Sequence, residues 1–346
     1  MTELSALLSE KITFAGERCM NSRNCNIKCD NCLPVCPTKA ISLENGEISF
    51  DELNCKNCGA CRAVCPSEAF SVADFAYLKE FSSLQSDEIS IGCTLNDANR
   101  RDFNINCYAL LTEGEILYLL GNKKRVMFNT AHCHNCSFAS CSKIFLSSLK
   151  RAQEMLTTDN RIVLTETDSQ NSGVSRRAFF QWFRQKTVTA VANVLPFAEK
   201  ASKTYLPKRR QSLLQGMKNL AHDLAEKTFV RRINILPSCT GCGGCIRVCP
   251  NQAYRGDEFN LTWQAKGCMN CGLCIATCPE KALRFEDFLT PAELFKERVS
   301  IDFKGSRCVK CGAYFHGHGD TCPACSVKNK QLEQNFDLCL QGAQSA

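Results

Sequence analysis

The chain has 346 residues, 27 of them cysteine, with 44% hydrophobic and 22% charged residues and a formal net charge of +7. This composition excludes a disordered chain, the length predicts two or three domains, and no apolar run approaches the roughly 18 residues of a membrane span, so no transmembrane segment is expected. The opening MTELSALLSEKITF lacks the basic region, apolar core and cleavage site of an export signal, so a cytoplasmic setting with reduced, metal-binding thiols is expected; the odd cysteine count excludes complete internal disulfide pairing.

In chain order, residues 1–79 hold two cysteine runs. Cys25, Cys29, Cys32 and Cys36 precede Pro37, and Cys55, Cys58, Cys61 and Cys65 precede Pro66. The second reads C-x2-C-x2-C-x3-C-P. The first has one extra residue, between Cys25 and Cys29. Residues 80–170 alternate strand-like EISIGC, NINC, KKRVMFNTAHC and NRIVLTE with helical EGEILYLLG and SKIFLSSLKRAQEML, which predicts a small parallel α/β layer. Cys93, Cys107 and Cys133 fall at strand C-termini, with Cys136 and Cys141 just beyond; in open α/β sheets that edge is where sites are built.

Residues 171–230 read as a basic helical connector. From Asn171 to Arg232 there are 13 Lys and Arg against 3 acidic residues. A solvated linker is the expectation; the alternative is a docking surface for an acidic partner or an anionic cofactor tail. Ser175-Arg176-Arg177-Ala178-Phe179-Phe180 is similar to a twin-arginine export motif, but its mid-chain position argues against export. Nucleic-acid binding is not expected, because Phe179, Phe180, Trp182 and Phe183 read as the apolar side of a helix.

Residues 231–295 repeat the first segment. Cys239, Cys242, Cys245 and Cys249 precede Pro250, and Cys268, Cys271, Cys274 and Cys278 precede Pro279. Adding 213 to Cys29, Cys32, Cys36, Cys55, Cys58, Cys61 and Cys65 reaches a cysteine each time, whereas Cys25 misses by one. CPTKA, CPSEA, CPNQA and CPEKA complete the pattern of an internal duplication. Gly59, Gly243, Gly244 and Gly272 suit close backbone approach to sulfur. In the tail, 296–346, Cys308, Cys311, Cys322 and Cys325 form two knuckles; four thiolates on two tight turns suit structural zinc, with a rubredoxin-like iron site as the alternative. Cys19 and Cys339 remain as ordinary thiols, although Cys19 is near enough to the first run to be an alternative ligand.

The four runs resemble those of bacterial two-cluster ferredoxins, over roughly residues 18–75 and 230–290. In that family the fourth cysteine of each run ligates the other cluster. The resemblance therefore implies four 4Fe-4S clusters on Cys25, Cys29, Cys32 with Cys65; Cys55, Cys58, Cys61 with Cys36; Cys239, Cys242, Cys245 with Cys278; and Cys268, Cys271, Cys274 with Cys249. The GC, NC and HCHNC sequences of the middle segment resemble the cysteine-rich delta subunits of methyl-viologen-type hydrogenases. That likeness implies a fifth cluster on Cys93, Cys107, Cys133 and one of Cys136 or Cys141; buried thiols, a redox-active dithiol or zinc are the alternatives.

The fold class expected is α+β multidomain: two ferredoxin-like dicluster segments, a small parallel α/β segment, the basic helical connector and a zinc-ribbon-like knuckle. No nucleotide, flavin or catalytic-triad motif is present. The functional expectation is a polyferredoxin, relaying electrons between protein redox partners, more an electron-transfer protein or oxidoreductase subunit than a stand-alone enzyme. The alternative is an accessory or maturation factor for a metalloenzyme such as a formate dehydrogenase. Composition sets no oligomeric state.

Overall fold

The computed structural model describes residues 11–24, 26–72, 76–95, 101, 103–157, 160–165, 206–256, 260–296, 298–302, 305–312, 314–316, 320–322 and 325. Cys25, Cys339, the 175–180 motif and most of the basic connector lie outside them.

Each pair of cysteine runs is framed by two antiparallel ribbons. In the N-terminal segment β1 (Ile12–Phe14) pairs with β4 (Phe70–Val72), and β2 (Ile41–Glu44) with β3 (Glu47–Phe50). The β2–β3 hairpin turns at Asn45-Gly46, both at positive φ (51° and 83°), as a two-residue hairpin turn that follows the strand twist requires. The β1–β4 register sets Phe14 against Phe70, 4.7 Å between ring centroids, and Phe50 packs edge-on against Phe70 at 5.4 Å.

The central segment holds a four-stranded, wholly parallel sheet. Its strands are β5 (Glu88–Cys93), β6 (Phe103–Ile105), β7 (Arg125–Asn129) and β8 (Ile162–Thr165), in the order β6-β5-β7-β8. The Glu113–Asn122 helix connects β6 to β7, and the Ala139–Gln153 helix connects β7 to β8. Thr112 and Glu115 form a capping box that starts the first of these helices. Ile116, Leu117, Leu119 and Leu120 are all buried, so this helix is enclosed on every side.

In the second copy β9 (Arg231–Ile235) pairs with β12 (Leu283–Phe288), and β10 (Tyr254–Gly256) with β11 (Asn260–Gln264). The other edge of β11 takes β13 (Arg298–Asp302), so the sheet extends beyond residue 295. β14 (Gly305–Arg307) and β15 (Tyr314–His316) form a separate hairpin in the tail.

The Lys208–Asn219 helix departs from the expected solvated linker. It lies alongside the Glu113–Asn122 helix, and Arg209, Arg210, Leu213, Leu214 and Met217 are buried. Glycines permit the close approach. A Cβ on Gly216 would lie 2.5 Å from the Tyr118 nitrogen, and one on Gly114 2.8 Å from the Arg209 carbonyl oxygen. The charges of this helix turn inward to specific partners. Arg209 Nη2 meets Glu113 at 3.1 Å, and its Nη1 donates to the Cys65 carbonyl at 3.0 Å. Ser212 Oγ donates to Glu115 at 2.7 Å, and Glu115 also takes Arg62 at 2.6 Å with both side chains fully buried.

The two copies also touch directly. Arg18 donates from Nε to the Glu68 carbonyl (3.2 Å), from Nη1 to the Pro250 carbonyl (3.2 Å) and from Nη2 to Asn251 Oδ1 (2.5 Å). One guanidinium therefore joins the turn after Cys65 to the turn after Cys249.

Burial acts to raise the Glu113 pKa, but Arg209 and Arg151 outweigh it and hold the carboxyl at about 2, below its ordinary 4.5. A depressed carboxylate stabilises the fold above its unfolded pKa and loses that contribution as pH falls through the folded one; this shift corresponds to about 3 kcal/mol. Glu113→Gln should therefore lower stability at pH 7 by about that amount in anaerobic denaturant unfolding. The gap from the parent protein should narrow as pH falls from 5 towards 2. A pH-independent gap would show that the carboxylate charge is not what Arg209 and Arg151 stabilise.

Candidate metal centres

The four Cys-Pro turns share one geometry. Lys39, Glu68, Gln252 and Lys281, each third after the last cysteine of its run, adopt φ of 54°, 56°, 51° and 50°. The left-handed residue swings the next N–H back to sulfur. Ala40 donates to Cys36 Sγ at 3.3 Å, Ala69 to Cys65 at 3.2 Å, Ala253 to Cys249 at 3.3 Å and Ala282 to Cys278 at 3.3 Å. All four alanines are buried, which explains the small residue that ends each CPxxA repeat. A related contact opens two of the runs: Asn57 N–H lies 3.3 Å from Cys55 Sγ, and Asn270 N–H 3.4 Å from Cys268 Sγ.

Gly59, Gly243 and Gly272 follow the second cysteine of their runs at φ of 81°, 70° and 77° and start short helices. Gly59 carries a second constraint. A Cβ there would lie 2.5 Å from Leu110 Cα, so this loop presses directly on the central segment.

Among the described residues no cysteine forms a disulfide. The thiols gather crosswise between runs. Cys55 and Cys61 face Cys36. Cys239 faces Cys242 and Cys278, and Cys245 faces Cys239 and Cys242. Cys249, Cys268, Cys271 and Cys274 line one small cavity together with Tyr254 and Phe285. In the first run the group is Cys29, Cys32 and Cys65 with Cys19, which all line one cavity beside Ile48 and Phe70.

Burial disfavours thiolates in these cavities. It pushes Cys32, Cys245 and Cys271 up to about 12, with the neighbouring cysteines adding to it, and raises Cys61 and Cys274 as well. Four such thiols together ionise only on a cation, and soft sulfur donors suit iron or zinc. Spacing separates a single ion from a cubane. A tetrahedral mononuclear site with metal–sulfur bonds near 2.3 Å brings sulfurs to about 3.8 Å, whereas a cubane keeps them further apart. Among the described residues only Cys308, Cys311, Cys322 and Cys325 place three or more such ligand atoms within 4.8 Å of one another.

Further groups suit an anionic sulfur centre. Tyr254 OH donates to Cys274 Sγ at 3.2 Å. The Trp263 indole N–H is buried without a hydrogen-bond partner and lies near the Cys268 thiol, whose ionisation it favours. Arg210 donates from Nη2 to the Cys268 carbonyl, while its Nε and Nη1 are buried without a hydrogen-bond partner. Burial lowers the Arg210 pKa to about 10, a cost that a negative centre beside Cys268 would offset.

In the central segment Cys93, Cys107, Cys133, Cys136 and Cys141 line one small pocket with Leu95, Tyr108 and Phe138, beyond the C-terminal ends of the strands. Burial, with Cys93 and Cys136 near, pushes Cys133 up to about 11. The Phe138 N–H lies 3.4 Å from Cys136 Sγ, repeating the contact seen at Cys55 and Cys268. Cys141 lies between two neighbours, its thiol within hydrogen-bond reach of Cys107 in this pocket and of Cys58 in the N-terminal segment.

In the tail, Cys311 Sγ and Cys322 Sγ stand 3.7 Å apart. Tight turns form both knuckles: Gly312 N–H bonds the Cys308 carbonyl at 2.8 Å, and Cys325 N–H the Cys322 carbonyl at 2.9 Å. This four-thiol group could bind a metal ion.

Residues 24–69 and 238–283 each match the family of 4Fe-4S dicluster domains. The chain carries two bacterial-type ferredoxin domains. Both matches coincide with the duplicated turns, and the ferredoxin domains support an iron–sulfur electron-transfer role. No curated protein matches the chain. Cys19, the central pocket and the tail knuckles fall outside both matched stretches. Among the described residues no helix is long and apolar enough to cross a membrane.

The two ferredoxin-loop constraints at Gly59 can be separated. Gly46 has φ of 83° but open space around its Cα, so Gly46→Ala should cost only the strain of a left-handed alanine, about 1 kcal/mol. Gly59→Ala adds a backbone clash and should cost clearly more, with loss of bound iron. Thermal unfolding and iron analysis of the two variants test this; equal effects would show that the Leu110 contact is not limiting.

Proposed function

We propose that the protein is a polyferredoxin, relaying single electrons between protein redox partners in the cytoplasm, in anaerobic-type metabolism. The observation that carries this reading is the fourfold Cys-Pro turn, in which the fourth cysteine of one run joins the thiols of the other and accepts a backbone N–H. Bound 4Fe-4S clusters supply one-electron redox chemistry. The chain's own groups hold and tune them. Cys55, Cys58, Cys61 and Cys36 would hold one; Cys239, Cys242, Cys245 and Cys278 another; Cys268, Cys271, Cys274 and Cys249 a third; and Cys29, Cys32 and Cys65 most of the fourth. The N–H donors to sulfur and the buried Arg210 favour the more negative, reduced state, whereas burial opposes it.

Two further centres belong to the same reading. The central pocket would hold a fifth cluster on Cys93, Cys107, Cys133 and Cys136, in keeping with the likeness to hydrogenase delta subunits. The Phe138 N–H at Cys136 supports Cys136 as the fourth ligand, with Cys141, which reaches both Cys107 and Cys58, as the alternative. The tail knuckles would hold a single tetrahedral ion, as their sulfur spacing suits, with zinc as the reading and rubredoxin-like iron as the alternative.

Metal and sulfide analysis of anaerobically purified protein tests these assignments together. About 20 iron atoms and one zinc are expected per chain, and the quadruple variant in which Cys93, Cys107, Cys133 and Cys136 are serine should retain about 16 iron. Dithionite reduction should give cubane signals by electron paramagnetic resonance. Fully loaded protein with no reducible cluster would defeat the electron-transfer reading, and wild-type protein with about 16 iron would defeat the fifth cluster.

A further inference from the structure

The first ferredoxin domain is the one place where the spacing of the runs is irregular, and strand register locates the missing position. In each half of each ferredoxin domain, the last residue of a strand or the one just after it has an N–H that bonds the carbonyl of the alanine in a CPxxA turn. These bonds are Asp51 to Ala40 (2.8 Å), Gln264 to Ala253 (2.8 Å), Leu236 to Ala282 (2.8 Å) and Ala15 to Ala69 (2.9 Å). The first cysteine of a run follows three or four residues later. Cys55 comes four residues after Asp51, Cys268 four after Gln264, and Cys239 three after Leu236. Counted from Ala15, the fourth residue is Cys19.

The local backbone agrees. A 3-10 turn, Ala265–Gly267, leads into Cys268, closed by Cys268 N–H on the Ala265 carbonyl at 3.0 Å. The corresponding turn, Gly16–Arg18, leads into Cys19, closed by Cys19 N–H on the Gly16 carbonyl at 2.8 Å. Both cysteines are then extended, Cys19 at φ −64°, ψ 139° and Cys268 at φ −80°, ψ 129°.

Of the eight residues by which this loop exceeds its counterpart in the second copy, seven follow Cys19 and one precedes it. Ala15 to Cys29 spans 14 positions, against six from Leu236 to Cys242. The short Met20–Arg23 helix takes up part of the excess, and Asn21 ties it to the run. Cys29 N–H bonds Asn21 Oδ1 at 2.7 Å, and Asn21 Nδ2 donates to the Cys29 carbonyl at 3.0 Å. Cys19 is thereby carried into the cavity that Cys29, Cys32 and Cys65 line.

We infer that Cys19 is the fourth ligand of the first cluster in the N-terminal ferredoxin domain, in the place that spacing alone assigns to Cys25. The ligand set is Cys19, Cys29, Cys32 and Cys65, with the Cys19 thiol giving up its proton to bind iron. This rests on the reading of the domain as a cluster carrier, and wild-type iron content tests that reading separately.

The experiment compares Cys19→Ser and Cys25→Ser in the full chain, purified anaerobically, by iron and sulfide content and by resonance spectra of the reduced protein. Cys25→Ser should keep the wild-type iron and spectrum. Cys19→Ser should lose up to four iron atoms, about one cubane's worth, and the signal of one cluster, with far-ultraviolet dichroism unchanged. Loss of a cluster from Cys25→Ser overturns the assignment whatever the other variant does, and so does full iron retention by Cys19→Ser. The Cys25→Ser arm stands even if Cys19→Ser fails to fold, because it asks only whether Cys25 is dispensable.

Discussion

Buried arginines hold the cysteine-bearing parts of this chain in register. Arg62 on a ferredoxin helix meets Glu115 of the central segment with neither side chain exposed to water. Arg209 closes on Glu113 and on the carbonyl of Cys65, and Arg18 spans the Cys-Pro turns of both copies. Taking these charges from water costs several kcal/mol each, so the pairs contribute little net stability; removing one partner would strand the other, at about 3–5 kcal/mol. Their effect is positional. A guanidinium with several fixed acceptors tolerates few relative placements of the turns that carry the sulfurs.

Within each ferredoxin domain, the chain solves the opposite electrostatic problem. Thiols such as Cys32, Cys61, Cys245 and Cys271 are placed where burial and neighbouring cysteines oppose ionisation, and backbone N–H groups are aimed at sulfurs through left-handed turns. Non-glycine residues in that conformation carry some strain, which the surrounding hydrogen bonds hold. The arrangement is coherent around a cationic iron core and costly without one, so metal binding and folding are coupled.

Much of this was legible in the sequence. Cysteine spacing, the offset of 213 and the four CPxxA repeats identify the duplicated segments, and alternating strand and helix patterns locate the central sheet. Two features were not legible, for definable reasons. Cys19, which the sequence offers only as an alternative ligand, is separated from Cys29 by seven more residues than its counterpart, so the cysteine frame and the strand frame disagree there, and the pairing of Ala15 with Ala69 supplies the second frame. The Lys208–Asn219 helix reads as basic and solvated because its partners, Glu113 and Glu115, lie almost a hundred residues earlier. Composition records the cations, while the fold supplies the anions.

The same helix constrains how the protein is made. Glu113, Glu115 and the glycine face of their helix belong to the first half of the chain, yet the residues that cover them follow the long 166–205 stretch. On the ribosome, the N-terminal ferredoxin domain and the central sheet emerge with Arg62 and Arg151 able to pair with these carboxylates, but before Arg209 and Ser212 exist to complete their contacts. Neither can reach its final packing until some forty further residues have been translated.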